Sequence, residues 1–150
     1  MRTHAFPRSR RLKRRRLLRP LFDRGRDDVG RVRAGTVQVL YRTVPRAATG
    51  LDVGLQVGFA PGRRSTNVVR TRIRRHLRET FRQHQAPLVA RVADRPDCLT
   101  LMVLFRGRED TASADIRRDL PRALARLGDR EIPPPAAPPE AARNDDPAAP

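Results

Sequence analysis

The chain has 150 residues, with 33 Lys or Arg against 16 Asp or Glu, a formal net charge of +17 and a sequence pI near 11.8. That length suits one modest domain, and that charge points to a polyanionic partner, nucleic acid first, without favouring any fold. One cysteine, Cys98, and three scattered histidines, His4, His76 and His84, exclude a disulfide framework and a Cys/His metal site within the chain, and no apolar run reaches the ~18 residues of a membrane span.

All basic residues except Lys13 are arginine. Arginine suits planar, bidentate recognition of phosphate and stacks on bases. A compositional bias would explain arginine over lysine, but not the excess of positive charge.

The N-terminus is acid-free through Phe22, as a mitochondrial presequence can be. Pro7 and Pro20 interrupt it, however, and no apolar core marks a secretory signal. The expected location is the cytoplasm. Residues 1–8 read as a basic extension of a domain spanning 9–130. Residues 9–24, SRRLKRRRLLRPLFDR, set Leu17, Leu18, Leu21 and Phe22 at helical spacing, with Ser9 to open the helix and Gly25 to close it. Pro20 predicts a kink or a late start. Arg10, Arg11, Lys13, Arg14, Arg15 and Arg16 form a basic patch of low specificity.

Residues 36–43, TVQVLYRT, read as a strand. So do residues 51–59, LDVGLQVGF, where Leu51, Val53, Leu55, Val57 and Phe59 share one face. The other face carries Gly54 and Gly58 and leaves room for a second backbone. After the loop APGRRST comes NVVRTRIRRHLRETFRQH, residues 67–84. At about 100° per residue its apolar arc holds Val69, Ile73, Leu77 and Phe81, and the opposite arc Thr71, Arg74, Arg75, Arg78 and Arg82. His76 falls near the apolar arc and reads as a packing residue. Residues 98–105, CLTLMVLF, read as a strand buried on both faces. A last helix, capped by Ser113 and closed by Gly128, carries Ile116, Leu120, Leu124 and Leu127, with Pro121 to kink it. Residues 131–150, rich in Pro and Ala, read as a disordered tail. The elements run α-β-β-α-β-α, an α/β sandwich of a small sheet covered by helices.

The arginine helix carries five like-charge pairs at i,i+3 or i,i+4. Each costs roughly 0.2–0.5 kcal/mol, and Glu79 relieves only part of it. A solvated face normally mixes signs. Phosphates meeting the face would offset the cost through counterion release.

The stretch VVRTRIRRHLRETFR also resembles the signature of the bacterial ribonuclease P protein family. Arg70, Thr71, Arg72, Ile73, Arg74, Arg75, Leu77, Arg78, Glu79, Phe81 and Arg82 keep its spacing. VGLQV (53–57), VLYR (39–42) and RLKRRRLLRPLFDRG (11–25) resemble the elements before it, so the resemblance covers roughly residues 9–128. Thr71 departs from the family's usual Asn, exchanging an amide for a hydroxyl. Leu18 stands where an aromatic is common.

The resemblance implies a mixed sheet of about four strands with a left-handed βαβ crossover, against the usual hand. It implies an accessory protein subunit of an RNA-catalysed endoribonuclease. The catalytic RNA, with Mg²⁺, would remove the 5′ leader of precursor tRNA, with one protein per RNA. Arg70, Thr71, Arg72, Arg74, Arg75, Arg78 and Arg82 would bind RNA. Phe22 and Tyr41 would line the leader cleft between the first helix and the sheet, where aromatic faces stack on single-stranded bases. No protein residue is assigned a catalytic role: no nucleophile–base pair or metal cluster stands out, and Asp27 and Asp28 read as loop acids. The rival is a ribosomal-type structural RNA-binding protein. A bZIP-like DNA reader lacks the zipper heptads that should follow Arg82.

Overall fold

The computed structural model describes residues 7–135. The first six residues of the basic extension and the Pro/Ala tail from 136 lie outside the described residues. The middle layer is a four-stranded mixed sheet in the order β1-β2-β4-β3. β1 (Gly30–Ala34) and β2 (Val37–Pro45) form an antiparallel hairpin, β2 pairs antiparallel with β4 (Asp97–Phe105), and β4 pairs parallel with β3 (Leu55–Ala60). Helix α1 (Arg15–Leu21) packs on one face through Leu17 and Leu21. Helices α2 (Asn67–His84), α3 (Ala86–Ala93) and α4 (Ala112–Gly128) pack on the other. This is the small mixed sheet clad in helices that the sequence predicts.

β4 is the hub. Its residues alternate between two cores, and all nine are buried. Leu99, Leu101, Val103 and Phe105 join Ile73, Leu77, Phe81, Ile116 and Leu120 on the α2/α4 side. Cys98, Met102 and Leu104 join Leu12, Leu17, Leu21 and Leu40 on the α1 side. The continuous apolar run thus follows from burial on both faces. Burial also pushes the Cys98 thiol up to about 12, which leaves it unreactive.

Several boundaries differ from the sequence expectation. The first helix starts at Arg15, not Ser9, and its cap is Phe22, not Gly25. Residues before it serve the sheet instead. The Leu12 amide donates to the Val57 carbonyl at 3.0 Å, Arg11 bridges Val57 in parallel, and Gln56 Nε2 donates to the Ser9 carbonyl at 2.9 Å. The segment covers a sheet edge whose polar groups would otherwise stay open. On the glycine face, an added Cβ at Gly58 would strike the Met102 side chain at 2.6 Å, and one at Gly54 would lie 3.0 Å from the Val92 carbonyl oxygen, so it is at Gly54 that a second backbone comes close.

β3 starts at Leu55 rather than at residue 51. Leu51 is largely exposed, because the 3-10 turn Arg46–Thr49 and Gly50, at φ 77°, redirect the chain. In α4, Ser113 lies in the first turn without capping, and Gly128 is the last helical residue rather than a left-handed cap. Two elements were not read from the sequence. β1 hides its Val32/Ala34 alternation among two arginines and a glycine. α3 is only eight residues long, opens with Pro87 in its first turn and buries Leu88 and Val92. The domain also runs past residue 130. Ile132 is buried, and the Pro133 carbonyl accepts from Thr43 Oγ1 at 2.9 Å.

The β1–β2 turn is pinned by Asp119 of α4. Its buried carboxylate accepts from the Thr36 amide at 2.9 Å, from Thr36 Oγ1 at 2.7 Å and from Arg118 Nε at 2.7 Å. Gly35 fits there because it sits at φ 56° and because a Cβ would strike this carboxylate. The hydrogen bonds from Arg118, then those from Thr36, hold the Asp119 carboxyl well below the usual range against the opposing effect of burial. A depressed carboxylate contributes stability that is present above its unfolded pKa near ~3.9 and lost as pH falls toward its folded value. Asp119→Ala should therefore cost about 3 kcal/mol at pH 7. In urea denaturation the gap to the unmodified chain should narrow below about pH 4; a gap that is constant with pH would remove the clamp from the account.

Candidate nucleic-acid interface

Helix α2 is fixed at its start by Thr66, whose hydroxyl accepts from the Val69 amide at 3.1 Å. Ile73, Leu77 and Phe81 anchor it in the core, and Phe81 meets Phe59 edge-on at 5.7 Å between ring centroids. With that side buried, the remaining arc faces outward. Thr71 and Arg75 lie near its crest, both exposed. Arg70, Arg74 and Arg78 form the flank toward β3, and Arg72 and His76 the flank toward α4.

The seven expected contact residues fall into two groups. Arg72, Arg74 and Arg75 make no hydrogen bond or ion pair among the described residues, and Thr71 makes no side-chain hydrogen bond there. The others have protein contacts. Arg70 donates to Asn67 Oδ1 at 2.7 Å, Arg82 is paired with Glu79, and Arg78 lies 6.0 Å from the Phe59 ring centroid. Burial, then repulsion from Arg11, Arg74 and Arg75, lowers the Arg78 pKa from its ordinary value. The like-charge crowding inferred from the sequence is therefore real in space, and it includes a residue from the far end of the chain.

The N-terminal basic patch divides. Arg10 donates to Gln85 Oε1 at 3.2 Å, and Arg11, held on β3, approaches Arg78; both extend the α2 surface. Arg14 and Arg16 turn to the Ala48 carbonyl, at 3.3 Å and 3.4 Å. Lys13 and Arg15 are exposed.

A groove of about 470 Å³ lies between α1 and the sheet, lined by Leu21, Phe22, Arg24, Arg31, Gln38, Leu40 and Arg106. Phe22 is 50% exposed at its rim. Tyr41 is not there. It belongs to the α2/α4 core, only 6% exposed, and its ring covers Gly30 across the β1–β2 pair. Residues alternate faces along a strand, so Val37, Val39 and Tyr41 face one core while Gln38 and Leu40 face the groove. That parity was readable in VQVLY. Arg24, Arg31 and Arg106 come from separate places in the chain, and no local motif announces them.

Other arginines are structural. Arg64 donates to the carbonyls of Pro61, Gly107 and Phe105 at 2.6, 2.7 and 3.0 Å and lies 5.0 Å from the Phe105 ring centroid. Next to it, Glu109 accepts from the Ser65 amide at 2.8 Å and its hydroxyl at 2.9 Å. Together they tie the loop before α2 to the loop after β4. Arg46 similarly serves the carbonyls of Asp97 and Arg95 and the Asp52 carboxylate.

The family model described as Ribonuclease P matches residues 6–128. Two solved structures share the fold. A Staphylococcus aureus RNase P protein matches with a TM-score of 0.55 and 17% identity, covering 79% of this chain and 94% of that one. A mutant of the Staphylococcus aureus RNase P protein, described as defective in mRNA degradation activity, matches with a TM-score of 0.53 and 16% identity, covering 80% and 89%. No curated protein matches the chain.

The two kinds of arginine should respond oppositely to truncation. Arg64→Ala should lower the thermal midpoint and speed hydrogen exchange at the Asn67–Arg70 amides, because it frees the loop that seats the α2 cap. Arg75→Ala should leave both unchanged or raise stability by a few tenths of a kcal/mol, since it relieves repulsion. Equal losses in both variants would mean that α2 is not charge-crowded.

Proposed function

The chain belongs to the Ribonuclease P family of proteins, which partner the ribonuclease P RNA, and from that premise we propose how its two basic surfaces divide the work. The α2 surface, with Arg70, Thr71, Arg72, Arg74, Arg75, Arg78 and Arg82, lies against the catalytic RNA. The groove beneath α1 takes the 5′ leader of precursor tRNA. There Phe22 stacks on a base, Arg24, Arg31 and Arg106 meet phosphates, and Gln38 offers its amide to a base edge or sugar. Tyr41 has no part in it. One protein serves one RNA.

The observation that carries this reading is that Arg72, Arg74 and Arg75 make no hydrogen bond or ion pair among the described residues, on a helix whose other side is locked in the core. Repulsion across the five like-charge pairs of the whole helix costs about 1–2.5 kcal/mol in the free protein, before the relief that Glu79 gives Arg82. It turns to gain when phosphates replace condensed counterions. An arrangement that is unfavourable alone and favourable with a polyanion is suited to binding one. The ribosomal-type rival shares the charge and the fold class but not the family match.

Hydrolysis belongs to the RNA in this proposal. Mg²⁺ would be held by RNA and substrate phosphates, while the more buried acids of the protein are already engaged by arginine. Asp28 is bound by Arg26 at 2.8 Å and Arg42 at 3.0 Å, and these partners hold its carboxyl at about 2. Asp97 is bound by Arg95 and Asp119 by Arg118. The protein's contribution is positional: it raises the local concentration of the leader near the catalytic RNA and neutralises phosphate charge between them.

Reconstitution tests the proposal. Adding the chain to its cognate catalytic RNA and precursor tRNA at low Mg²⁺ should raise cleavage and tighten substrate binding; no effect on either would refute it. Replacing Arg74 and Arg78 together with Ala should reduce the slope of log affinity against log salt for the RNA by about 1–2. Phe22→Ala should weaken binding of leader-bearing precursor by about 1–3 kcal/mol and leave binding of leaderless tRNA unchanged. An equal loss for both substrates would move the leader elsewhere.

A further inference from the structure

We propose that α2 and α4 together build a phosphate site from Arg72, Arg75, His76 and Arg117, which takes a phosphodiester of the bound RNA and gains a proton on His76 as it does so. This rests on the functional reading above and adds a second helix and a proton to it.

The geometry comes from the α4-facing flank of α2. Arg72 and His76 stand one turn apart, and Arg75 is adjacent. Ile116 and Leu120 of α4 share a core with Ile73 and Leu77 of α2, and Arg117, next to Ile116, is exposed beside this flank. A shallow recess of about 400 Å³ opens alongside, lined by Asn67, Val68, Thr71, Arg72 and Arg75. Val68 in its wall is 74% exposed, an apolar surface against which a sugar or base can rest. Among the described residues, Arg72, Arg75 and Arg117 form no hydrogen bond or ion pair. Of the nearby acids, Asp115 is engaged by Thr111 and Arg118 and Glu79 by Arg82, while Glu109, bound to Ser65, also feels the charge of Arg72 and leaves it only partly compensated.

His76 is therefore not simply a packing residue. It is half-buried, with no hydrogen-bond partner among the described residues. Burial, then the charges of Arg72, Arg117 and Arg75, holds its imidazole below the ordinary value. An anion seated among the three guanidinium groups reverses that balance and favours the imidazolium. By linkage, binding takes up a proton, so affinity rises as pH falls from the raised value of His76 in the complex through its lowered value in the free chain.

The test uses the full chain and two probes, a ten-nucleotide single-stranded RNA and the cognate catalytic RNA. In NMR titrations, with the His76 signal assigned by its loss in His76→Gln, the imidazole should titrate below ~6.5 in the free chain and move upward with the oligonucleotide. Arg117→Ala should bind the catalytic RNA about three- to tenfold more weakly, with a salt slope smaller by about one. The gain in affinity between pH 8 and pH 6 should be smaller in His76→Gln than in the unmodified chain. A His76 titration unmoved by RNA, or an unchanged salt slope in Arg117→Ala, overturns the site. Should these variants behave as expected while the chain fails to assist precursor cleavage, the site stands and the functional reading falls. Should the chain assist cleavage while both variants match it, only the site falls.

Discussion

Self-repulsion is the constraint on which this protein turns. A chain of 150 residues with a net charge of +17 must either give its cations partners or hold them apart in solvent. It does both, and the division separates scaffold from surface. Arg46, Arg64, Arg91 and Arg95 spend their donors on backbone carbonyls: Arg91 on Leu127, Gly128 and Arg130, and Arg95 on Ile132 and Pro133. Arg26, Arg42 and Arg118 engage acids. Among the described residues, Arg72, Arg74 and Arg75 of α2 have neither kind of partner. The crowding persists because Ile73, Leu77 and Phe81 hold the helix down with burial energy of roughly 1.5–3 kcal/mol each, well above the repulsion among its arginines.

The sheet decides what each surface contains. β4 is buried along its length, so both cores are built outward from it. Parity along β2 then sends Tyr41 to the large core and Gln38 and Leu40 to the groove. α1 is short and leaves part of that face open, and the opening is ringed by Arg24, Arg31 and Arg106. The same sheet joins the two basic surfaces. Because Arg11 and Leu12 close the β3 edge, Arg10 and Arg11 are brought to the C-terminal half of α2. A backbone requirement, the covering of an exposed edge, thus extends the charged surface.

Legibility in the sequence followed the strength of periodicity. α2, β4 and α4 each bury four or more residues at a regular spacing and could be read directly, and the arginine spacing of α2 carried the family. β1 and α3 could not be read, because each buries only two or three residues and is interrupted by glycine, arginine or proline. The start of α1 failed for a different reason: Ser9 is a plausible cap, but tertiary pairing with Gln56 and Val57 outbid it. Tyr41 shows the limit of transferring a position without its parity. The groove arginines were invisible as a group, since only the folded sheet brings residues 24, 31 and 106 together. Composition could not tell Arg64 from Arg74 either; the difference lies in which carbonyls are within reach.

That last distinction bears on why arginine is used almost alone. At Arg64 a single planar guanidinium spans three carbonyls from two loops and rests on the Phe105 ring. An ammonium is a compact point charge and cannot reach three fixed acceptors that far apart. The same fork, which at Arg72, Arg74 and Arg75 meets no acceptor among the described residues, suits the spread oxygens of a phosphate. Scaffold and interface therefore ask for one side chain, for one geometric reason, and the chain's single lysine, Lys13, stands exposed where neither demand is made. Arginine enrichment here covers two structural settings, and only the folded chain separates the arginines that hold backbone carbonyls from those that stand at the surface.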